Sequence, residues 1–253
     1  MIKAVIFDIG GTLFYSDKVA NDHHQAAGQA VLDYLKKHHI NINVDASTFA
    51  AKWVEGSKKF KNWTKLHNDI DCDPYFRLSK FILLPWIKSI DQTTLKLIAN
   101  NTINVWKSTG DGKIRPEAKA VLKKLSKKYK LGIISNTDSL DFVLLRLFNN
   151  DIYHYFDPNC IYLSCKSQMR KPQKEIFLAA CEDLNVKPSE TVYIGDTISR
   201  DVSGSNNAKL AACFRIGSTL TTNADNGTKS PDTKYVITSL KDIIKLLKDT
   251  PFI

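Results

Sequence analysis

Ile2-Lys3-Ala4-Val5-Ile6-Phe7-Asp8-Ile9-Gly10-Gly11-Thr12-Leu13 decides how the rest of the chain is read. A short apolar run that stops at a carboxylate and then at two glycines has the signature of a buried strand feeding a tight loop. It delivers one charged side chain to the carboxyl end of the strand, the edge where open parallel sheets bind ligands. Taken alone, the segment leaves three readings open: an ordinary Gly-Gly turn, an aspartyl nucleophile at Asp8, or a phosphate-binding turn.

Working outward, the period changes from strand to helix after Leu13. Ser16 or Asp17 is placed to cap a helix running to about Lys37, with Ala27, Ala30, Val31, Tyr34 and Leu35 on its apolar side. Further helices are expected from Asp45 or Ser47, after Pro74 and after Asp91, carrying Trp53, Trp86 and Trp106 respectively. All four tryptophans fall between residues 14 and 114, and aromatic residues at helical spacing read as bundle core rather than as a substrate box. His23, His24, His38 and His39 sit near the ends of the first helix. Adjacent helical residues point about 100° apart, so these pairs read as solvated surface and not as a metal site.

Ser108-Thr109-Gly110-Asp111-Gly112-Lys113 is the clearest linker, and Pro116 suits the first turn of a helix reaching about Lys128. Strand and helix then alternate, the pattern of a parallel sheet built from β-α-β units. The expected strands are Leu131–Ser135, Cys160–Leu163, Thr191–Ile194, Ala211–Ile216 and Tyr235–Ile237; the expected helices are Asp138–Phe148, Gln173–Leu184, Ser199–Asn206 and Leu240–Leu247. Residues 217–232 form a long polar stretch.

Composition narrows the function classes. The 253 residues, 43% hydrophobic and 25% charged, suit one large domain or a domain with a smaller companion. No apolar run approaches a membrane span, and the single lysine before Asp8 does not make a secretory signal, so a cytoplasmic protein is expected. Five scattered cysteines without a Cys-x-x-Cys pair argue against a disulfide framework or structural zinc. The net charge of +10 invites a nucleic-acid partner. Its densest contributors, Lys119, Lys123 and Lys127, recur every four residues and read instead as a solvated helix face. Neither a nucleic-acid nor a membrane partner is expected, and a small anionic substrate fits the charge better.

Three further polar elements stand at strand ends or at the helix starts that follow them. Leu131–Ser135 ends in a hydroxyl followed by Asn136; Lys171-Pro172 enters a helix; Val192-Tyr193-Ile194-Gly195-Asp196 ends in an acid, with Asp201 five residues on. Strand ends of a parallel sheet converge on one edge, where these groups can meet Asp8.

In order and spacing, Asp8–Thr12, Ser135, Lys171 and Gly195–Asp201 resemble the four motifs of the haloacid dehalogenase superfamily, whose members are mostly phosphatases. The resemblance spans nearly the whole chain. It implies an α/β fold, with a Rossmann-like parallel-sheet core (residues 1–14 and 115–253) and an inserted, mostly helical cap domain (residues 15–114). It also implies a Mg²⁺-dependent phosphatase acting on a small phosphorylated metabolite through an aspartyl phosphate on Asp8. Asp8, the Gly10 carbonyl and Asp196 would bind the metal. Ser135 and backbone N–H groups around Gly11 and Asn136 would hold the phosphoryl oxygens. Lys171 would neutralise charge, and Asp201 would orient Lys171 or the metal's water shell.

Gly10 departs from the pattern, because phosphatases of the superfamily usually carry there a second aspartate that transfers protons. Slow turnover, a substrate with a good leaving group, or a phosphate-binding homologue without turnover are the consequences to test. A 2-haloacid dehalogenase is a weaker alternative, since those relatives generally lack the acids kept here as Asp196 and Asp201. Weakest is a sugar kinase related to actin and hexokinase, which the chain resembles in Asp8-Ile9-Gly10-Gly11-Thr12 alone.

Overall fold

A computed structural model describes residues 1–16, 23–110, 112–217 and 235–249 of the chain. Six parallel strands make the main sheet: β1 (Ala4–Phe7), β4 (Lys130–Ser135), β5 (Ile161–Leu163), β6 (Thr191–Gly195), β7 (Ala212–Ile216) and β8 (Tyr235–Ile237), in the spatial order β5-β4-β1-β6-β7-β8. Counted along the sheet strands alone, this is the 3-2-1-4-5-6 order of a doubly wound fold, with its switch point between β1 and β6. Phe7 registers with Ile133 of β4 on one side and Ile194 of β6 on the other. Asp8 therefore emerges at the switch point.

The alternation of β1 explains its apolar run. Val5 and Phe7 face one layer of helices, packing with Val121, Leu122 and Leu147. Ala4 and Ile6 face the other, with Ile176, Phe177 and Ala180. Both faces are covered, so the strand is hydrophobic at every position. The covering helices include α5 (Ala118–Leu125), α6 (Leu140–Asn149), α8 (Lys174–Asp183) and, at the far edge, α10 (Lys241–Asp249).

Between β1 and β4 runs a helical region: α1 (His24–Lys37), α2 (Ala46–Leu66), α3 (Pro74–Arg77) and α4 (Gln92–Ser108). It packs around its own cluster, including Val31, Leu35, Phe49, Trp53, Leu95 and Ile103. The chain enters it through β2 (Phe14–Tyr15) and leaves it through β3 (Lys113–Ile114), and these two-residue strands pair antiparallel with each other.

Several expected boundaries shift. The first helix begins at His24 without a side-chain cap, so Ser16 does not start it, and Asp17 lies outside the described residues. Asp45 and Asp91 do cap α2 and α4, accepting N–H bonds from Thr48 and from Thr93 and Thr94. The segment after Pro74 is not one helix: it passes through a π-helical turn at Leu78–Ile82 and a 3₁₀ stretch at Leu84–Ser89, where Pro85 removes a helical donor. Helix α5 stops at Leu125, so Lys127 stands beyond it, although Lys119, Lys123 and Lys127 are all exposed as expected of a solvated face. The helix expected over Ser199–Asn206 is a π-helical turn, Ile198–Val202, running into α9 (Ser203–Asn207). No helix among the described residues is long and apolar enough to cross a membrane. All five cysteines are free.

Candidate active site

Asp8, the first residue past β1, is 6% exposed. Its Oδ1 accepts the Ile9 N–H at 2.7 Å and lies 3.0 Å from Lys171 Nζ. Lys171 comes from the loop before α8, is 2% exposed and has its ammonium fixed from two further sides: Asp201 Oδ1 at 2.6 Å and the Tyr193 hydroxyl at 2.8 Å. Its backbone is held as firmly. Asn136 accepts the Lys171 N–H at 2.8 Å and donates to the Lys171 carbonyl at 2.9 Å, one amide side chain clamping both polar groups of one peptide residue.

Asp201 is fully buried, and the π-helical turn after β6 returns it toward the strand end. Its Oδ2 accepts from Thr197 N–H at 2.8 Å, Thr197 Oγ1 at 2.6 Å and Asp196 N–H at 3.2 Å. This close return requires Gly195, because a Cβ there would stand 2.4 Å from Asp201 Cγ. Of the two roles weighed for Asp201, orientation of Lys171 is the one its geometry serves.

Electrostatics follow from these contacts. Burial raises the Asp8 carboxyl above its ordinary value, opposed by the Lys171 charge and reinforced by Asp201. For Asp201 burial also raises, but Lys171, Arg200 and the hydrogen bonds outweigh it and hold the carboxyl low. Burial opposes the Lys171 charge, yet Asp201 and Asp8 overcome it and raise the lysine.

The candidate phosphoryl donors divide. The Ser135 side chain stands at the end of β4 with the residue 4% exposed, and its hydroxyl makes no hydrogen bond among the described residues. Nor do the backbone N–H groups of Asn136 and Gly10. Gly11 is a correction: its N–H donates to the Phe14 carbonyl at 2.6 Å and is not available to a phosphoryl oxygen. Gly11 instead serves the turn through its positive φ of 79°, a conformation that glycine adopts without strain.

Asp8, Asp196 and Asp201 each offer an oxygen within 4.8 Å of the others, all buried. Carboxylates this close repel, and the buried Lys171 ammonium beside them contacts Asp8 and Asp201. An all-oxygen, acid-rich donor set suits a hard cation such as Mg²⁺. Both oxygens of Asp201 are occupied by Lys171 and Tyr193 on one side and the Thr197 loop on the other. Asp8 and Asp196 are thus the fitting carboxylate ligands. The Gly10 carbonyl, which accepts no hydrogen bond among the described residues, is a further oxygen donor.

Two contributors escape a reading of motifs. Tyr193 lies inside β6, buried; its hydroxyl accepts from Lys171 and sits 2.9 Å from the Ile134 carbonyl, tying β6 and β4 to the lysine. Arg115, just past β3, donates to the Thr12 carbonyl at 2.7 Å and the Gly11 carbonyl at 2.9 Å and so fixes the loop after Asp8. Tyr193 alternates within an apolar strand, and Arg115 follows a linker, so neither carries a sequence signal.

Beyond these residues, between the helical region and the sheet edge, lies a cavity of about 500 Å³, bordered by Asn136, Arg170 and Arg200 on the sheet side. Trp53, Phe60 and Trp106 border it on the helical side; Trp53 and Trp106 belong to the bundle core as well, and Phe60 is buried. His23 and His24 also line it and are half-buried, and His24 stacks on Trp106 with ring centroids 5.8 Å apart, which corrects their expected place on the solvated surface.

The model of the haloacid dehalogenase-like hydrolases matches residues 2–209. The chain belongs to that family. It is 28% identical to the rat (Rattus norvegicus) N-acylneuraminate-9-phosphatase over 98% of this chain and 94% of that one. It is 26% identical to the glyceraldehyde 3-phosphate phosphatase of Methanopyrus kandleri, over 83% and 82% of the two chains. A 2-haloacid dehalogenase from Pseudomonas syringae pv. Tomato shares the fold, with a TM-score of 0.65 at 20% identity and coverage of 98% and 99%. Membership in this family of hydrolases sets aside the sugar-kinase resemblance, which extended no further than the first loop.

Proposed function

We propose that this hydrolase is a phosphatase of small phosphorylated metabolites, using Mg²⁺ and a covalent aspartyl phosphate on Asp8. The observation that carries the reading is the Asp8–Lys171–Asp201 chain of contacts at 3.0 and 2.6 Å, with Asp196 beside it. A carboxylate nucleophile splits ester hydrolysis into two displacements. Asp8 attacks phosphorus and the alkoxide leaves, taking a proton from solvent water; a second water attacks phosphorus of the acyl phosphate, loses its proton to solvent, and releases inorganic phosphate and the Asp8 carboxylate. Lys171 lowers the repulsion between two anions, while Ser135 and the N–H groups of Asn136 and Gly10 receive the equatorial oxygens. Asp8, Asp196 and the Gly10 carbonyl would hold Mg²⁺, which when bound supplies charge neutralisation at the phosphoryl group. Names of the two phosphatase relatives support the substrate class.

In this reading residues 15–114 are a cap that closes over Asp8, and residues 1–14 with 115–253 are the hydrolytic core. Gly10 gives no side chain to protonate the leaving group, so esters with acidic leaving groups are the preferred substrates. Retention of Asp196 and Asp201 favours phosphate over halide displacement. The test is phosphate release from an aryl phosphate with Mg²⁺ by wild type and Asp8→Asn. Release that survives the substitution or exhaustive chelation overturns the proposal; binding of Mg²⁺ and phosphate with no turnover on any ester means a binding homologue.

A further inference from the structure

The cavity bordered by Asn136, the residue that clamps Lys171, is more cationic than one phosphate group requires. Six lysine and arginine side chains line it against two carboxylates, Asp71 and Asp138. Asp138 is already shared by two of the cations, with Arg77 at 2.6 Å and Lys107 in contact. Arg170 has a loose partner in Asp71 at 3.8 Å. Lys58, Lys61 and Arg200 stand in no ion pair within 4 Å among the described residues, although the Arg200 charge also reaches Asp8 and Asp201 and its Nε donates to Thr197 Oγ1 at 3.4 Å.

These charges come from opposite walls. Lys58 and Lys61 project from α2, and Arg170 and Arg200 directly adjoin Lys171 and Asp201 in sequence. They are close enough to feel one another. Partial desolvation, and after it the guanidinium charges of Arg200, Arg77 and Arg170, push the Lys61 ammonium below its ordinary range. Like charges gathered across a cavity raise the free energy of the empty site and favour an anion that spans them. The phosphoryl group bound at Asp8 is already served by Lys171, Ser135 and backbone donors, so the extra cations face a different part of the ligand.

We propose that the substrate carries a second anionic group, a carboxylate or a second phosphate, remote from the phosphoryl group and held between Lys61 of the helical region and Arg170 and Arg200 of the sheet edge. This rests on the phosphatase reading for the placement of the first phosphate at Asp8. The aromatic side of the cavity, Trp53, Phe60 and Trp106, then covers the carbon skeleton that joins the two anions.

The experiment is calorimetric binding to the Asp8→Asn protein in Mg²⁺, using three matched probes: glucose 6-phosphate, 6-phosphogluconate and fructose 1,6-bisphosphate. Binding at least tenfold tighter than glucose 6-phosphate is expected for one of the two probes with a second anionic group, and which one tells carboxylate from phosphate. Lys61→Glu is expected to remove that preference, with circular dichroism verifying its fold. Equal affinity for all three probes, no binding by any of them, or a preference that survives Lys61→Glu overturns the inference. Wild-type turnover of the same probes is read separately. A binding preference without wild-type phosphate release from any ester, the aryl phosphate included, refutes the phosphatase reading and leaves the second-anion site standing.

Discussion

Asp138, in the loop that follows β4, lies 2.6 Å from Arg77 of α3, and the two side chains are 15% and 13% exposed. Lys107, at the end of α4, contacts the other carboxylate oxygen. One acid of the sheet edge thus holds two cations of the helical region. Removing one partner of such a cluster leaves charge uncompensated in a drier place than water, at a cost of roughly 3–5 kcal/mol when fully buried. Because this cluster is partly wet, Asp138→Ala is expected to cost about 2–3 kcal/mol, measured by urea unfolding. An unchanged midpoint would show that the contact contributes nothing.

The same acid predicts a pH dependence. Burial opposes ionisation of Asp138, but Arg77 and Lys107 outweigh it and hold the carboxyl far below the usual range. A depressed folded-state value means that the contribution to stability is fully present above the unfolded value of about 3.9 and is lost as pH falls through the acid range below it. Wild type should lose stability relative to Asp138→Asn as pH drops below about 4. Parallel acid titrations of the two would refute this.

Gly10 has room for the missing proton carrier, since no atom lies within 4 Å of a Cβ built there and the residue is exposed. Its φ is also outside the left-handed region. Gly10→Asp is therefore expected to fold and, under the phosphatase proposal, to raise kcat on alkyl phosphates by about 10²-fold. Aryl phosphates, whose leaving groups need no proton, should gain far less. No gain on either class would mean that the proton comes from another residue.

Mg²⁺ should stabilise the protein by preferential binding to the folded state. A rise in Tm with added Mg²⁺ is expected for wild type and is expected to vanish in Asp196→Asn, because that acid and Asp8 are the carboxylates whose oxygens Lys171 and the Thr197 loop do not both fill. A rise that persists in the variant would relocate the ion.

Tyr193→Phe removes the hydroxyl that touches Lys171 Nζ and faces the Ile134 carbonyl, in a fully buried place. Loss of buried hydrogen bonds with one partner left behind costs about 1–3 kcal/mol. The lysine keeps Asp201 and Asp8, so the fall in kcat should be smaller than for Lys171→Met. If the two variants fall equally in kcat, Tyr193 does more than hold the ammonium.

Asp8, Ser135 and Asp196 were legible because each ends an apolar run and parallel strands bring such ends to one edge, while Lys171 at a helix entry and Asp201 five residues past Asp196 followed from order and spacing. Tyr193 was not, because an aromatic residue inside β6 satisfies the strand pattern whatever its hydroxyl touches. The Asp138 cluster joins positions 77, 107 and 138, whose meeting depends on how two helices lie against the sheet and leaves no periodic trace. Gly11 was misassigned for a related reason: a glycine in a loop signals a turn, but not which N–H the turn consumes. The histidines at the start of α1 were read from spacing alone, and spacing does not say what a neighbouring helix places opposite them.

The pairing of Phe14 with Ile114 and of Tyr15 with Lys113 has a consequence for how the molecule can vary. The chain departs from and returns to the sheet at adjacent points, so the ends of the helical region are already joined by its own backbone bonds. The rest of the fold thus places its demands on those four residues, on Arg115, whose guanidinium reaches back to the loop after Asp8, and on the side chains that Asp138 and Ser139 hold, Arg77, Lys107 and Asn104. A helical segment of different length or sequence that presents the same two-strand base and the same partners to Asp138 and Ser139 could replace this one, and the nucleophile's surroundings would keep their shape. Substrate choice can then diverge without renegotiating the chemistry beneath it.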